Sequence, residues 1–123
     1  MAKVLIAEDD PLEREILESV IEEMGHVPLL SPNGMHALAT LECDRKIALL
    51  LTDMAMPEMD GRALIQAARQ LPAHTRLPIV IMSGVVATKE IADILLPGAE
   101  AFLSKPVRLQ ELRHYVAAAL DRR

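Results

Sequence analysis

The chain has 123 residues, enough for one domain with its own core and too few for two. Hydrophobic residues make up 51% of it, which excludes disorder, but Phe102 and Tyr115 are the only aromatics, so the core must be aliphatic. The net charge of -5, with no basic stripe and no aromatic platform, argues against direct nucleic-acid binding. Cys43 is the sole cysteine, so no intrachain disulfide can form and a cytoplasmic setting is expected. Cys43 itself reads as a small hydrophobe near a helix end. No apolar stretch is long enough to span a bilayer, Lys3 leads straight into a strand-like run with no signal peptide before it, and no membrane association is expected.

Strand-like and helix-like segments alternate five times. Lys3 to Ala7 reads as a first strand. Asp10 is placed to cap a helix that opens on Pro11, where a missing N–H costs nothing. Leu12, Ile16, Val20, Ile21 and Met24 then recur at helical spacing, and Gly25 stops the helix. Val27 to Leu30 is a short strand, Ser31-Pro32-Asn33-Gly34 a turn, and Ala37, Leu38 and Leu41 mark a second helix. Asp44-Arg45-Lys46 connects to the apolar run Ile47 to Leu51, which ends abruptly at Thr52-Asp53. After Asp60-Gly61, the residues Leu64, Ile65, Ala68 and Leu71 give a third helix, closed by Pro72. Ile79 to Met82 is the fourth strand, Thr88 to Leu95 a fourth helix ended by Pro97-Gly98, and Ala101 to Ser104 the fifth strand. Leu109, Leu112, Val116 and Leu120 mark the closing helix.

Strands alternating with helices imply an α/β fold, a doubly wound parallel sheet with helices on both faces. The strands barely alternate in polarity, as befits a sheet covered on both sides. Right-handed crossovers favour the flavodoxin-like strand order 2-1-3-4-5, which sets the first, third, fourth and fifth strands side by side. Those four end in Glu8-Asp9, Asp53, Ser83 and Lys105. Ligands of such sheets bind outside the carboxyl ends of the strands, so one rim collects acids, a hydroxyl and an ammonium.

The stretches LIAEDD at 5–10, LLTDMAMPEMDG at 50–61, LPIVIMSG at 77–84 and GAEAFLSKP at 98–106, in that order and spacing, resemble the receiver domains of two-component response regulators across essentially the whole chain, 1–123. The resemblance implies a CheY-like (βα)5 fold with Asp53 as phospho-acceptor. It implies that Glu8 and Asp9 hold Mg²⁺ together with Asp53 and the backbone carbonyl of Ala55, Asp9 directly and Glu8 through water. Ser83 looks like the switch hydroxyl, Lys105 like the lysine that precedes a cis Pro106, and Phe102 like the switch aromatic. The implied partners are a sensor histidine kinase or phosphotransfer protein and a downstream protein of unknown identity. That downstream protein would bind the surface of the fourth helix, fifth strand and closing helix, and the chain itself would be a monomer or weak dimer.

Mg²⁺ prefers oxygen ligands and takes one or two carboxylates, which suits this rim; no His or Cys favours zinc. Such a domain would catalyse its own phosphorylation and slow dephosphorylation without being a conventional enzyme. Ala55 and Val85, apolar where they flank the phosphoryl group, would leave hydrolysis to steric access. Two other readings compete. A haloacid-dehalogenase-type phosphatase also uses an Asp at a strand end, but needs a second Asp where Ala55 stands. A pseudo-receiver would have lost the phosphorylation chemistry, against the intact Glu8, Asp9, Asp53, Ser83 and Lys105. At Ala101 and Tyr115 the chain lacks the acid and the arginine of the winged-helix branch, so that branch's dimer contact is not expected. Met54, Met56 and Met59 read as rim packing, the four histidines as surface residues, and Glu13, Glu15, Glu18, Glu22 and Glu23 as the solvated face of the first helix.

Overall fold

The structure, a computed structural model, describes residues 1–84 and 101–121. The predicted fourth helix at Thr88 to Leu95, with Val85, Pro97-Gly98 and Glu100, lies outside the described residues. Five strands form one parallel sheet: β1 (Lys3–Ala7), β2 (Val27–Ser31), β3 (Ile47–Asp53), β4 (Ile79–Ser83) and β5 (Ala101–Ser104). Their order is β2-β1-β3-β4-β5, the flavodoxin-like order that the sequence favoured. The described helices are α1 (Pro11–Glu23), α2 (Gly34–Cys43), α3 (Gly61–Arg69) and the closing α4 (Leu109–Asp121).

Two apolar layers sandwich the sheet. On one side Leu17, Val20 and Ile21 of α1 and Leu112, Val116 and Ala119 of α4 pack on Val4, Ile6, Leu49, Leu51, Val80, Met82 and Leu103. On the other, Ala37 and Leu41 of α2 and Leu64, Ile65 and Ala68 of α3 cover Leu5, Ala7, Ile47, Leu50, Ile79 and Ile81. β3 is buried over its whole length because it lies between β1 and β4 and under both layers. Strict alternation along β3 breaks at its start. Ile47 shares a side with Leu50, while Leu49 and Leu51 face the other way. This coincides with a slip in register against β1, where Lys3 pairs with Ile47 but Val4 pairs with Leu49, the signature of one extra residue in a strand.

The helix ends follow from local chemistry. Asp10 Oδ1 accepts from the amides of Leu12 and Glu13, and Pro11 occupies the first turn. Asn33 and Asp60 cap α2 and α3 in the same manner. Gly25 follows α1 at φ +85°, a backbone region that side chains with a Cβ rarely adopt. Three expectations need correction. Leu12 and Ile16 are 67% and 43% exposed, and Leu17 takes the core position instead; the buried stripe of α1 runs through Leu17, Val20 and Ile21, and Leu12 and Ile16 lie to one side of it. His74 is buried, its Nε2 lying 2.9 Å from the carbonyl of Leu41 and 3.0 Å from that of Asp44. Cys43 does end α2 but is exposed rather than packed.

Candidate functional site

The carboxyl ends of β1, β3, β4 and β5 meet at one rim. β3 carries Asp53 to it as the last residue of the strand, and Asp53 is 6% exposed. The Met54 amide donates to the Met82 carbonyl at 2.8 Å, and the Gly61 amide donates to the Met54 carbonyl at 2.8 Å. The chain just past Asp53 is thus pinned to β4 on one side and to the start of α3 on the other. A Cβ on Gly61 would stand 2.6 Å from the Asp53 carbonyl oxygen, so only glycine lets α3 approach this closely. Glu8 follows β1 directly and is 1% exposed; its amide donates to the Ser31 carbonyl, and its Oε2 accepts from the Asp10 amide.

Lys105 joins the group from beyond β5. Its amide donates to the Ser83 carbonyl at 2.7 Å, and the bond to Pro106 is cis, as the resemblance implied. Its Nζ donates to Asp53 Oδ2 at 2.9 Å, to Glu8 Oε1 at 2.9 Å and to Glu13 Oε2 at 2.7 Å. Each of the three ammonium hydrogens has a carboxylate. Oxygens of Glu8, Glu13 and Asp53 lie within 4.8 Å of one another, the spacing and donor type that a hard divalent cation accepts. Ser83 closes β4, 4% exposed. Phe102 pairs in register with Ile81, half-buried against the α2–α3 side of the sheet. Beside the carboxylates, a cleft of about 170 Å³ opens between Ile16 and Leu17 of α1 and the stretch from Pro106 to Leu109.

The structure therefore brings Glu8, Asp53, Ser83 and Lys105 to one place. Asp9 and Ala55 lie next to it but are exposed, and Asp9 is not among the three converging carboxylates. Glu13, assigned from sequence to the solvated face, is the acid that reading missed. Its signal was position. It lies in the first turn of a helix that starts at the rim, and helical side chains lean toward the N-terminus.

The charges are strongly coupled. Burial pushes the Glu8 carboxyl up to about 8, against the pull of Lys105 and the Asp10 amide. Lys105 and then Glu8, by hydrogen bonding, hold Glu13 below its ordinary value. Burial pulls Lys105 down, but its bonds to Glu13, Glu8 and Asp53 outweigh this and hold it above the ordinary lysine value. The sign of the pH dependence follows. The folded chain keeps the Glu8 proton where the unfolded chain has lost it, so this contribution to stability is complete below 4.5 and is lost as the pH rises through about 8. Glu13 acts oppositely, its contribution being lost as the pH falls through its lowered folded value. In thermal melts without divalent cations, wild type is expected to lose stability from pH 4.5 to about 8 and Glu8→Gln to lose much less. Equal losses in the two proteins would show that Glu8 is not the group responsible.

Residues 4–117 match the response regulator receiver domain family. The chain belongs to that family. Among its relatives are an uncharacterized 14.6 kDa protein of Leptolyngbya boryana, 36% identical over 89% of this chain and 82% of that protein, and the two-component response regulator ORR3 of rice, 31% identical over 85% of this chain and 80% of ORR3. The fold is shared with the receiver domain of the sensor histidine kinase PA1611 from Pseudomonas aeruginosa, whose structure carries a magnesium ion in its active-site cleft. The TM-score is 0.88 at 22% identity, with 98% of each chain covered. This receiver domain is thus a module of two-component signalling. Among its described residues, no helix is long and apolar enough to cross a membrane.

Proposed function

We propose that Asp53 accepts a phosphoryl group from a phosphohistidine on a sensor histidine kinase or phosphotransfer protein, and that residues 1–123 act together as one receiver domain. The observation that carries this is the placement of a nearly buried Asp53 carboxylate at the end of β3, paired with the Lys105 ammonium and set beside Glu8. In the reaction an Asp53 carboxylate oxygen forms the new bond to phosphorus, the phosphorus–nitrogen bond breaks, and the departing imidazole keeps its electron pair. Phosphoryl transfer depends mainly on positioning and on neutralising charge. Lys105 lies within reach of the Asp53 oxygens and supplies an ammonium to the transferred group. The Ser83 hydroxyl donates to another of its oxygens.

The donor set fits Mg²⁺, being oxygen throughout. Asp9, Asp53 and the carbonyl of Ala55 would hold it, with Glu8 at one remove; when bound, the ion supplies positive charge for the carboxylates and the phosphoryl oxygens. On phosphorylation Ser83 is drawn toward the new acceptors, and Phe102 turns into the space so released. The change reaches the surface of β5 and α4, where a downstream partner binds. Catalysis is limited to the domain's own phosphorylation and its slow reversal.

Incubation with Mg²⁺ and acetyl phosphate is expected to add a phosphate-sized mass to wild type, and none to Asp53→Ala or to wild type with EDTA. Equal labelling of Asp53→Ala would contradict the reading. An absence of labelling by both acetyl phosphate and a phosphorylated histidine kinase would favour a pseudo-receiver.

A further inference from the structure

Glu13 is the one member of the carboxylate group with no part in the chemistry proposed above. Its position is nevertheless well determined. It is the third residue of α1, after the cap Asp10. In the common capping arrangement a glutamate there reaches back to the amide of the cap residue. Here that amide is already taken, because the Asp10 N–H donates to Glu8 Oε2. Glu13 is left to lean over the rim, where its Oε2 makes the shortest of the three bonds to Lys105, at 2.7 Å against 2.9 Å for each of the others.

The three partners differ in what phosphorylation would do to them. Asp53 gives up an oxygen to the acyl phosphate, and Glu8 belongs to the acidic pair assigned to the cation. Glu13 belongs to neither and keeps its charge. Its side chain is 43% exposed, so it can swing into solvent without leaving a buried charge behind. Resting on the reading of Asp53 as phospho-acceptor, we infer that Glu13 is a positioning residue. It tethers the Lys105 ammonium in the resting state, and the phosphoryl group must draw Lys105 away from it. Glu13 then sets how readily the domain enters its active state, and its removal favours that state.

The test is a double-mutant cycle read by fluorine NMR. Beryllium fluoride, a phosphoryl mimic, is titrated at saturating Mg²⁺ into wild type, Glu13→Ala, Lys105→Ala and the double variant, each confirmed as folded by its thermal melt. Because Glu13 is half-exposed, Glu13→Ala is expected to bind the mimic about 1.4- to five-fold more tightly than wild type, the range for such ion pairs. In the Lys105→Ala background the same change is expected to have no effect, since the tether acts only through that ammonium. An equal gain in both backgrounds would mean that Glu13 merely repels the anion through its charge, and would overturn the tether. Unchanged or weaker binding by Glu13→Ala would overturn it too. Failure of wild type to bind the mimic at all would overturn the phospho-acceptor reading, and the tether with it.

Discussion

Lys105→Ala is expected to slow phosphoryl transfer to Asp53 by about 10²- to 10³-fold, the usual loss when one preorganised donor to developing charge is removed. The ammonium is anchored at both ends. Its backbone amide is fixed to the Ser83 carbonyl, and its Nζ is held by three carboxylates. Its Nζ stands 2.9 Å from Asp53 Oδ2, the oxygen beside which charge develops in the transfer. The variant should still fold. Glu8 loses an ion-pair partner, but burial already pushes its carboxyl up to about 8, so it can take a proton rather than remain as a buried unpaired charge. Single-turnover transfer from a phosphorylated kinase domain, with a thermal melt alongside, separates the two effects. A folded Lys105→Ala that accepts phosphate at the wild-type rate would remove Lys105 from the mechanism.

Gly61→Ala is expected to lower both stability and transfer, although residue 61 carries no chemistry. Its added Cβ would stand 2.6 Å from the Asp53 carbonyl oxygen and 3.0 Å from the Met54 Cα. Both obstacles are backbone, so no side chain can turn aside to relieve them. Either α3 withdraws, breaking the 2.8 Å bond from the Gly61 amide to the Met54 carbonyl, or the end of β3 shifts and takes Asp53 with it. Overpacking of this kind costs about 1–3 kcal/mol, measurable by urea denaturation. A displacement of about 1 Å at a reacting group can cost about 100-fold in rate. Wild-type stability and wild-type transfer in this variant would show that the α3 approach does not position Asp53.

Much of this arrangement was legible in the sequence because it rests on strand ends. Glu8, Asp53 and Ser83 each stand where an apolar run stops, and Lys105 lies one residue past another, so the alternation of strands and helices was enough to place all four on one rim. What escaped depends on distances along the chain that periodicity does not report. Glu13 was grouped with the solvated glutamates, yet it stands four residues before Leu17 and seven before Val20, on the buried stripe of α1 where that stripe reaches the rim. His74 lies in a short 3-10 turn (Pro72–His74), and nothing local indicates that it reaches back to the carbonyls at the end of α2. Leu12 and Ile16 repeat at helical spacing with Val20, but the buried stripe is centred on Leu17, Val20 and Ile21, which leaves Leu12 and Ile16 at its exposed flank. The slip at the start of β3 is likewise silent in a run of five aliphatic residues, any of which can face either side.

The central claim is that the phosphoryl group resides on Asp53, and borohydride trapping tests it most directly. Borohydride reduces an acyl phosphate to the alcohol, converting a phosphorylated aspartate to homoserine. After phosphorylation in the presence of Mg²⁺, trapping and peptide mapping by mass spectrometry, homoserine is expected at position 53 and nowhere else. Homoserine at another aspartate, or phosphorylated protein with no trapped residue at 53, would contradict the account.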